Sequence, residues 1–189
     1  DEVSRILGVM GSPRKNGNTH VLVSAILDGA AEAGATTDLV LLNELDIREC
    51  DGCHLCWSGK PCGKKDDMND LYPRIDQSDV IVFGTPVYWY GPTAILKAFI
   101  DRFVYYNCPE NRPQIAGKRA ALAIPYEDTD AETVAPLLTF FEKSLAYLEM
   151  HLCGQVIVPG VTRRGEVRDR VDCMNAARAL GRELADGAA

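Results

Sequence analysis

Four cysteines fall close together in the segment Cys50-Asp51-Gly52-Cys53-His54-Leu55-Cys56-Trp57-Ser58-Gly59-Lys60-Pro61-Cys62, with the spacing C-x2-C-x2-C-x5-C. Three thiols at three-residue intervals can wrap one side of a compact inorganic cluster, and the fourth can close it from a short loop. A zinc ribbon would set two C-x2-C pairs about 15–20 residues apart, so these thiols are too compact for one. A small zinc site, a redox disulfide pair and plain structural cysteines all stay open on spacing alone. His54 sits inside the loop, either supporting the thiols or facing solvent. Of the scattered cysteines, Cys153 and Cys173 lie in or beside apolar patterns and read as small hydrophobes.

A second chemical segment is Gly11-Ser12-Pro13-Arg14-Lys15-Asn16-Gly17-Asn18-Thr19. Its glycines permit tight backbone turns. Ser12, Asn18 and Thr19 supply short polar side chains, Arg14 or Lys15 adds charge, and a helix start behind them would supply free N–H groups and a positive dipole end. That set suits a terminal phosphate monoester. It lacks the G-K-[ST] ending of a Walker A loop, and its glycines do not fit G-x-G-x-x-G. The plainer reading is a polar turn with Asn18 or Thr19 capping the helix. A third segment, Thr85-Pro86-Val87-Tyr88-Trp89-Tyr90-Gly91-Pro92, packs three aromatics between two prolines. Such a stiff, ring-rich loop suits a flat aromatic ligand, although one or two of the rings are expected in the core or at an oligomer contact. His20 and His151 show no partner pattern, and neither a Ser-His-Asp set nor a carboxylate pair stands out.

These segments need elements to position them. Short apolar runs at Arg5–Gly11, Asp38–Leu42, Asp79–Gly84, Arg119–Ile124 and Gln155–Val158 read as strands, nearly continuous in apolar residues as strands covered on both faces should be. Helical spacing appears over Thr19–Ala33, over Met68–Ile75 with Asp66 and Asp67 at its start, through Leu96-Phe99-Ile100-Phe103, through Val134-Leu138-Phe141-Leu145-Leu148, and from Val167 to about Leu184. The alternation predicts an α/β fold: a five-stranded parallel sheet of flavodoxin-like order 2-1-3-4-5, with right-handed crossovers and helices on both faces. Ligands in such sheets bind at the carboxyl ends of the strands, beside the switch point between strands one and three. The phosphate-type loop follows strand one and the aromatic loop follows strand three. Pro125-Tyr126 ends strand four and can cover another side of the same ligand.

Residues 1–189 read as one domain, with a cysteine-rich loop at about 46–66. A formal net charge of -7 argues against broad nucleic-acid binding and, more weakly, against an anionic membrane surface. No apolar run reaches the roughly 20 residues of a membrane span. A chain with this core needs no disulfide framework, so the thiols point to a cytoplasmic protein. The numbering opens at Asp1 rather than at Met, which leaves an upstream targeting segment open, but the chain enters its first strand almost at once and little of the fold is expected to be missing.

GSPRKNGNT followed by TPVYWYGPTAILKAFIDR resembles the NAD(P)H-dependent FMN reductases and flavodoxin-like quinone reductases, over about residues 4–160. The resemblance implies that FMN is the cofactor and that NAD(P)H is a candidate substrate. It implies that the first loop binds the FMN phosphate through Ser12, Arg14, Asn18 and Thr19, with Pro13 and Gly17 shaping the turn. It also implies that Pro86, Val87, Tyr88, Trp89 and Gly91 hold the isoalloxazine. The cysteine spacing opens like a ferredoxin run and resembles the iron–sulfur flavoproteins, a branch of the same family. That branch implies a 4Fe–4S cluster on Cys50, Cys53, Cys56 and Cys62, passing electrons between a small-molecule or redox-protein donor, such as a ferredoxin, and an acceptor. It implies a homodimer or homotetramer as well. The competing expectations are an NAD(P)H-dependent FMN or quinone reductase without a cluster, and a non-enzymatic carrier of flavodoxin type. In all three the flavin carries the chemistry and no side-chain nucleophile is expected.

Overall fold

The five apolar runs form the five strands of one parallel sheet in the computed structural model, which describes residues 3–187. They are β1 (Arg5–Met10), β2 (Thr36–Leu41), β3 (Val80–Gly84), β4 (Arg119–Pro125) and β5 (His151–Val158). The order is β2-β1-β3-β4-β5. The helices are α1 (Asn18–Glu32), α2 (Met68–Asp76), α3 (Ala94–Asp101), α4 (Ala131–Tyr147) and α5 (Val171–Ala185).

Strand alternation divides the core between two faces. Leu7, Val9, Phe83 and Leu122 point one way, against Leu71, Phe99 and Phe141 of α2, α3 and α4. Ile6, Val80, Val82 and Ala121 point the other way, against Val23 and Ile26 of α1 and Leu180 of α5. Helices α1 and α5 cross backbone to backbone: a Cβ on Gly181 would overlap the Ile26 carbonyl, and one on Gly29 would overlap the Arg178 carbonyl. Among the described residues no helix is long and apolar enough to cross a membrane.

Three local expectations need correction. First, only the inner strands are covered on both faces. Thr36, Asp38 and Gln155 are exposed, because β2 and β5 are the sheet edges and water reaches part of each. Second, the last helix does not open at Val167. Glu166–Asp169 is a separate 3₁₀ turn, and α5 starts at Val171. Third, neither Asn18 nor Thr19 caps α1; the cap position is Gly17, which has no side chain to offer. The Asp residues before α2 are drawn into longer-range contacts: Asp67 accepts the Asp46 N–H at 2.6 Å, and Asp66 pairs with Arg102.

Candidate active site

The carboxyl ends of β1, β3 and β4 open into a cleft of about 340 Å³, within the size range of cofactor sites. One wall is the turn from β1 into α1, where Ser12, Arg14, Gly17, Asn18 and Thr19 line the cleft. The turn is tightly built. The Arg14 N–H donates to Ser12 Oγ at 3.1 Å, and the Gly11 N–H donates to the Gly84 carbonyl at 2.8 Å. Gly84 lets α1 come close, since a Cβ there would overlap Val23 Cγ2 and lie 3.0 Å from Thr19 Cγ2. Because Gly17 leaves α1 without a side-chain cap and its first turn carries no acid, its leading N–H groups and dipole face the cleft uncompensated. An anion is the complement of that arrangement.

The opposite wall comes from Pro86, Val87 and Tyr88 after β3, from Pro125 at the end of β4, and from Tyr126 and Glu127 after it. Thr93, 2% exposed, caps α3 and also donates its hydroxyl to the Gly11 carbonyl, tying the aromatic loop to the phosphate-type turn. Tyr126 is fixed by its N–H to the Val158 carbonyl at 2.9 Å, and burial followed by the neighbouring Asp128 and Asp130 pushes its phenol up.

Three residues expected at the site stand off the cleft wall: Pro13, Trp89 and Gly91 are not among its lining residues. Tyr88 and Gly91 pair backbone to backbone, and between them Trp89 (φ +50°) and Tyr90 (φ +63°) both take the left-handed conformation. This two-residue hairpin carries the Trp89 ring outward, 95% exposed.

Val161 and Thr162, after β5, complete the cleft, and sequence reading missed them together with Glu127. The signal was available: the strand-end rule applies to strand five as much as to one, three and four. Their loop is pinned from both sides. Asn18 Oδ1 accepts the Val167 N–H at 2.9 Å, and Asn18 Nδ2 donates to the Arg163 carbonyl at 3.0 Å. Glu166 accepts the N–H groups of Thr162 and Arg163, each at 2.8 Å, which hold its carboxyl below the usual range. His20, which showed no partner in sequence, accepts the Asn16 N–H on Nδ1; burial, then the charges of Lys15 and Arg168, push its imidazole down.

The cysteine loop forms a second, separate site. Cys50, Cys53, Cys56 and Cys62 all line one small cavity of about 20 Å³, which shares no residue with the cleft. None of the four is in a disulfide. The loop is anchored on the segment after α3: Trp57 Nε1 donates to the Val104 carbonyl at 3.0 Å in the 3₁₀ turn Arg102–Tyr106, and Asn111, beyond that turn, donates from Nδ2 to the Cys56 carbonyl at 3.3 Å. His54 stacks on Trp57, ring centroids 3.9 Å apart. Cys56 is buried, which pushes its thiol up. Arg102 enters the same cavity and donates to Cys62 Sγ at 3.2 Å and to Asp66 at 2.6 Å.

The donor chemistry bears on which metal group this site fits. Among the described residues no three His, Cys, Asp or Glu side chains are grouped closely enough to hold one metal ion. A single zinc needs four ligands within about 2.3 Å of one point. In a cubane each cysteine binds a different iron, so its four sulfurs stand further apart around a common centre. The four free thiols match the second pattern in number and type; Cys56 is buried, Cys50 and Cys62 are half-buried and Cys53 is exposed.

With this geometry in view, the comparisons decide the family. The NADPH-dependent FMN reductase family matches residues 4–157. The chain belongs to that family. It is an FMN-dependent oxidoreductase, and the family supports FMN and NAD(P)H as its cofactor and substrate. An iron–sulfur flavoprotein of Archaeoglobus fulgidus is 29% identical over 184 residues, 96% of this chain and 79% of its own. A Bacillus subtilis protein provisionally named an NAD(P)H-dependent FMN-containing oxidoreductase is 28% identical over 184 residues, 94% of this chain and 97% of its own. Other iron–sulfur flavoproteins align over about half of this chain and about half of their own lengths, for example 36% identity with one from Methanosarcina thermophila over 53% and 52%. Among solved structures, an NAD(P)H:quinone oxidoreductase from Methanothermobacter marburgensis superposes with a TM-score of 0.73 at 20% identity, covering 97% of this chain and 96% of that one; the likeness is one of fold.

Proposed function

We propose that this reductase works as an iron–sulfur flavoprotein. Cys50, Cys53, Cys56 and Cys62 hold a 4Fe–4S cluster, and electrons pass from a one-electron donor of ferredoxin type through that cluster to FMN and on to an acceptor. The carrying observation is that all four thiols, none of them in a disulfide, line one cavity. The relatives named as iron–sulfur flavoproteins support the same reading.

In this reading the cleft holds FMN. Ser12, Arg14, Asn18, Thr19 and the N-terminus of α1 bind its phosphate, while Val87, Tyr88 and Tyr126 flank the ring. Bound FMN supplies hydride and single-electron chemistry. The chain supplies charge complementarity at the phosphate, a rigid wall tied together through Thr93, and partial exclusion of water. The exposed Trp89 tip suits a subunit contact in a homodimer or homotetramer, and free thiols suit the cytoplasm.

A second reading, an NAD(P)H-dependent FMN or quinone reductase without a cluster, draws on the likeness to the Bacillus protein over 94% of this chain and on the lack, among the described residues, of a closed single-metal group. Iron and acid-labile sulfide, measured per FMN on protein purified without oxygen, separate the two. About four irons per FMN match one cubane. Flavin without iron leaves the second reading.

A further inference from the structure

Resting on the iron–sulfur reading, we propose that Arg102 sets the potential of the cysteine site: its buried guanidinium donates an N–H to the Cys62 sulfur and raises the reduction potential of the cluster held there.

The Arg102 side chain is 1% exposed and its partner Asp66 is 0% exposed. Burying a guanidinium is costly unless every side of it is met. Nη1 is met by Asp66 at 2.6 Å and by the Arg48 carbonyl at 3.0 Å. Nη2 points the other way, to Cys62 Sγ at 3.2 Å, and lies in the wall of the cavity shared by the four thiols. An ion pair serving the fold alone would be complete with Asp66 and Arg48. The remaining arm of the fork is spent on a sulfur.

A protonated thiol is a weak acceptor. A metal-bound thiolate carries charge, and an N–H from a guanidinium to it is charge-assisted. Reduction adds one electron to the cluster with no proton change, so negative charge on the ligand sulfurs grows. A fixed donor on one of those sulfurs favours the reduced form, and a dry surrounding enlarges the effect. Asp66 offsets the net charge of the guanidinium from the far side, so the effect is directional: the N–H dipole faces sulfur and the carboxylate faces away. Lys64, the other cation on the cavity wall, is instead paired with Asp51 at 3.2 Å.

The test is a dithionite titration with mediators on protein purified without oxygen, comparing wild type with Arg102→Lys and following cluster and flavin signals separately. Lysine keeps a charge for Asp66 but is a point donor that cannot span both partners. The expected result is a cluster about tenfold harder to reduce, equivalent to about 59 mV for one electron, with the flavin couple unmoved. An iron-replete variant with unchanged cluster potential would overturn the inference. Should the variant not fold, wild-type protein carrying 15N-arginine decides: electron–nuclear double resonance on the reduced cluster should show an arginine 15N coupling, and its absence overturns the inference. Wild-type protein with FMN and no iron is a different failure, because it removes the iron–sulfur reading itself.

Discussion

Asn18 holds Val167 by a hydrogen bond of 2.9 Å from the Val167 N–H to the Asn18 amide oxygen, and so fastens the first turn of α1 to the loop before α5. The same amide donates to the Arg163 carbonyl. Asn18 therefore faces the cleft while bracing the loop that brings Val161 and Thr162 into its wall. Asn18→Ala removes both bonds, each contributing about 1 kcal/mol. The expected outcome is a loss of about 1–2 kcal/mol in urea denaturation, with an FMN dissociation constant about tenfold higher by flavin fluorescence.

Thr19 is 2% exposed at the head of α1 and lines the cleft. Thr19→Val keeps its shape and removes its hydroxyl. A hydrogen bond to a charged group contributes about 1.5–3 kcal/mol, so FMN affinity should fall about tenfold or more. Riboflavin, which lacks the phosphate, should bind the variant and the wild type alike. Equal weakening of both ligands would place the phosphate elsewhere.

Gly181 sits where α5 meets the backbone of α1, and an added Cβ would overlap the Ile26 carbonyl. Neither helix can yield without disturbing its own hydrogen bonds. Gly181→Ala should lower stability by about 3 kcal/mol, the upper part of the usual range for overpacking. Urea unfolding midpoints measure it.

Asp66 ties acid stability to the cysteine loop. Burial alone would push its carboxyl up, but hydrogen bonds from Arg102 and from the Arg48 N–H outweigh that and hold it below the ordinary value. The unfolded chain therefore binds this proton more tightly than the folded one. The contribution is complete above the unfolded value of about 3.9 and is lost as pH falls through the lower folded value. Asp66→Asn leaves the Arg102 charge buried and unmatched, and should be about 3–5 kcal/mol less stable at neutral pH. Below about pH 4 its stability should change less with pH than that of wild type. Urea midpoints at a series of pH values check both points.

Trp89 and Tyr90 occupy left-handed backbone that glycine and asparagine tolerate far better. Replacing the pair, Trp89→Asn with Tyr90→Gly, gives the favoured hairpin dipeptide. Thermal unfolding should show a gain of about 1–2 kcal/mol, since each strained position costs on the order of 1 kcal/mol or more.

The fold was legible because strand and helix periods are local, and handed crossovers turn an alternating order into one sheet arrangement. Gly11–Thr19 and Thr85–Gly91 were legible as strand-end segments where ligands collect, and the structure brings parts of both to one cleft. The four cysteines were legible as one group from their spacing, and the structure sets all four on one cavity. Other features depended on which segments meet. Asn18 was readable as a cap, but its partners Arg163 and Val167 lie far along the chain. Trp89 read as a ring for the ligand, and two positive φ angles turn it outward. Arg102 lies within the apolar helical stretch Leu96–Phe103, and nothing in its sequence neighbours marks it for burial. Only packing α3 against the cysteine loop buries it and gives it Asp66 and Cys62 as partners. Sequence determines which residue types lie at strand ends and at what spacing, because those depend on neighbours in the chain. Tertiary structure decides which of them lose water and which charges must then find each other, because burial depends on segments distant in the chain.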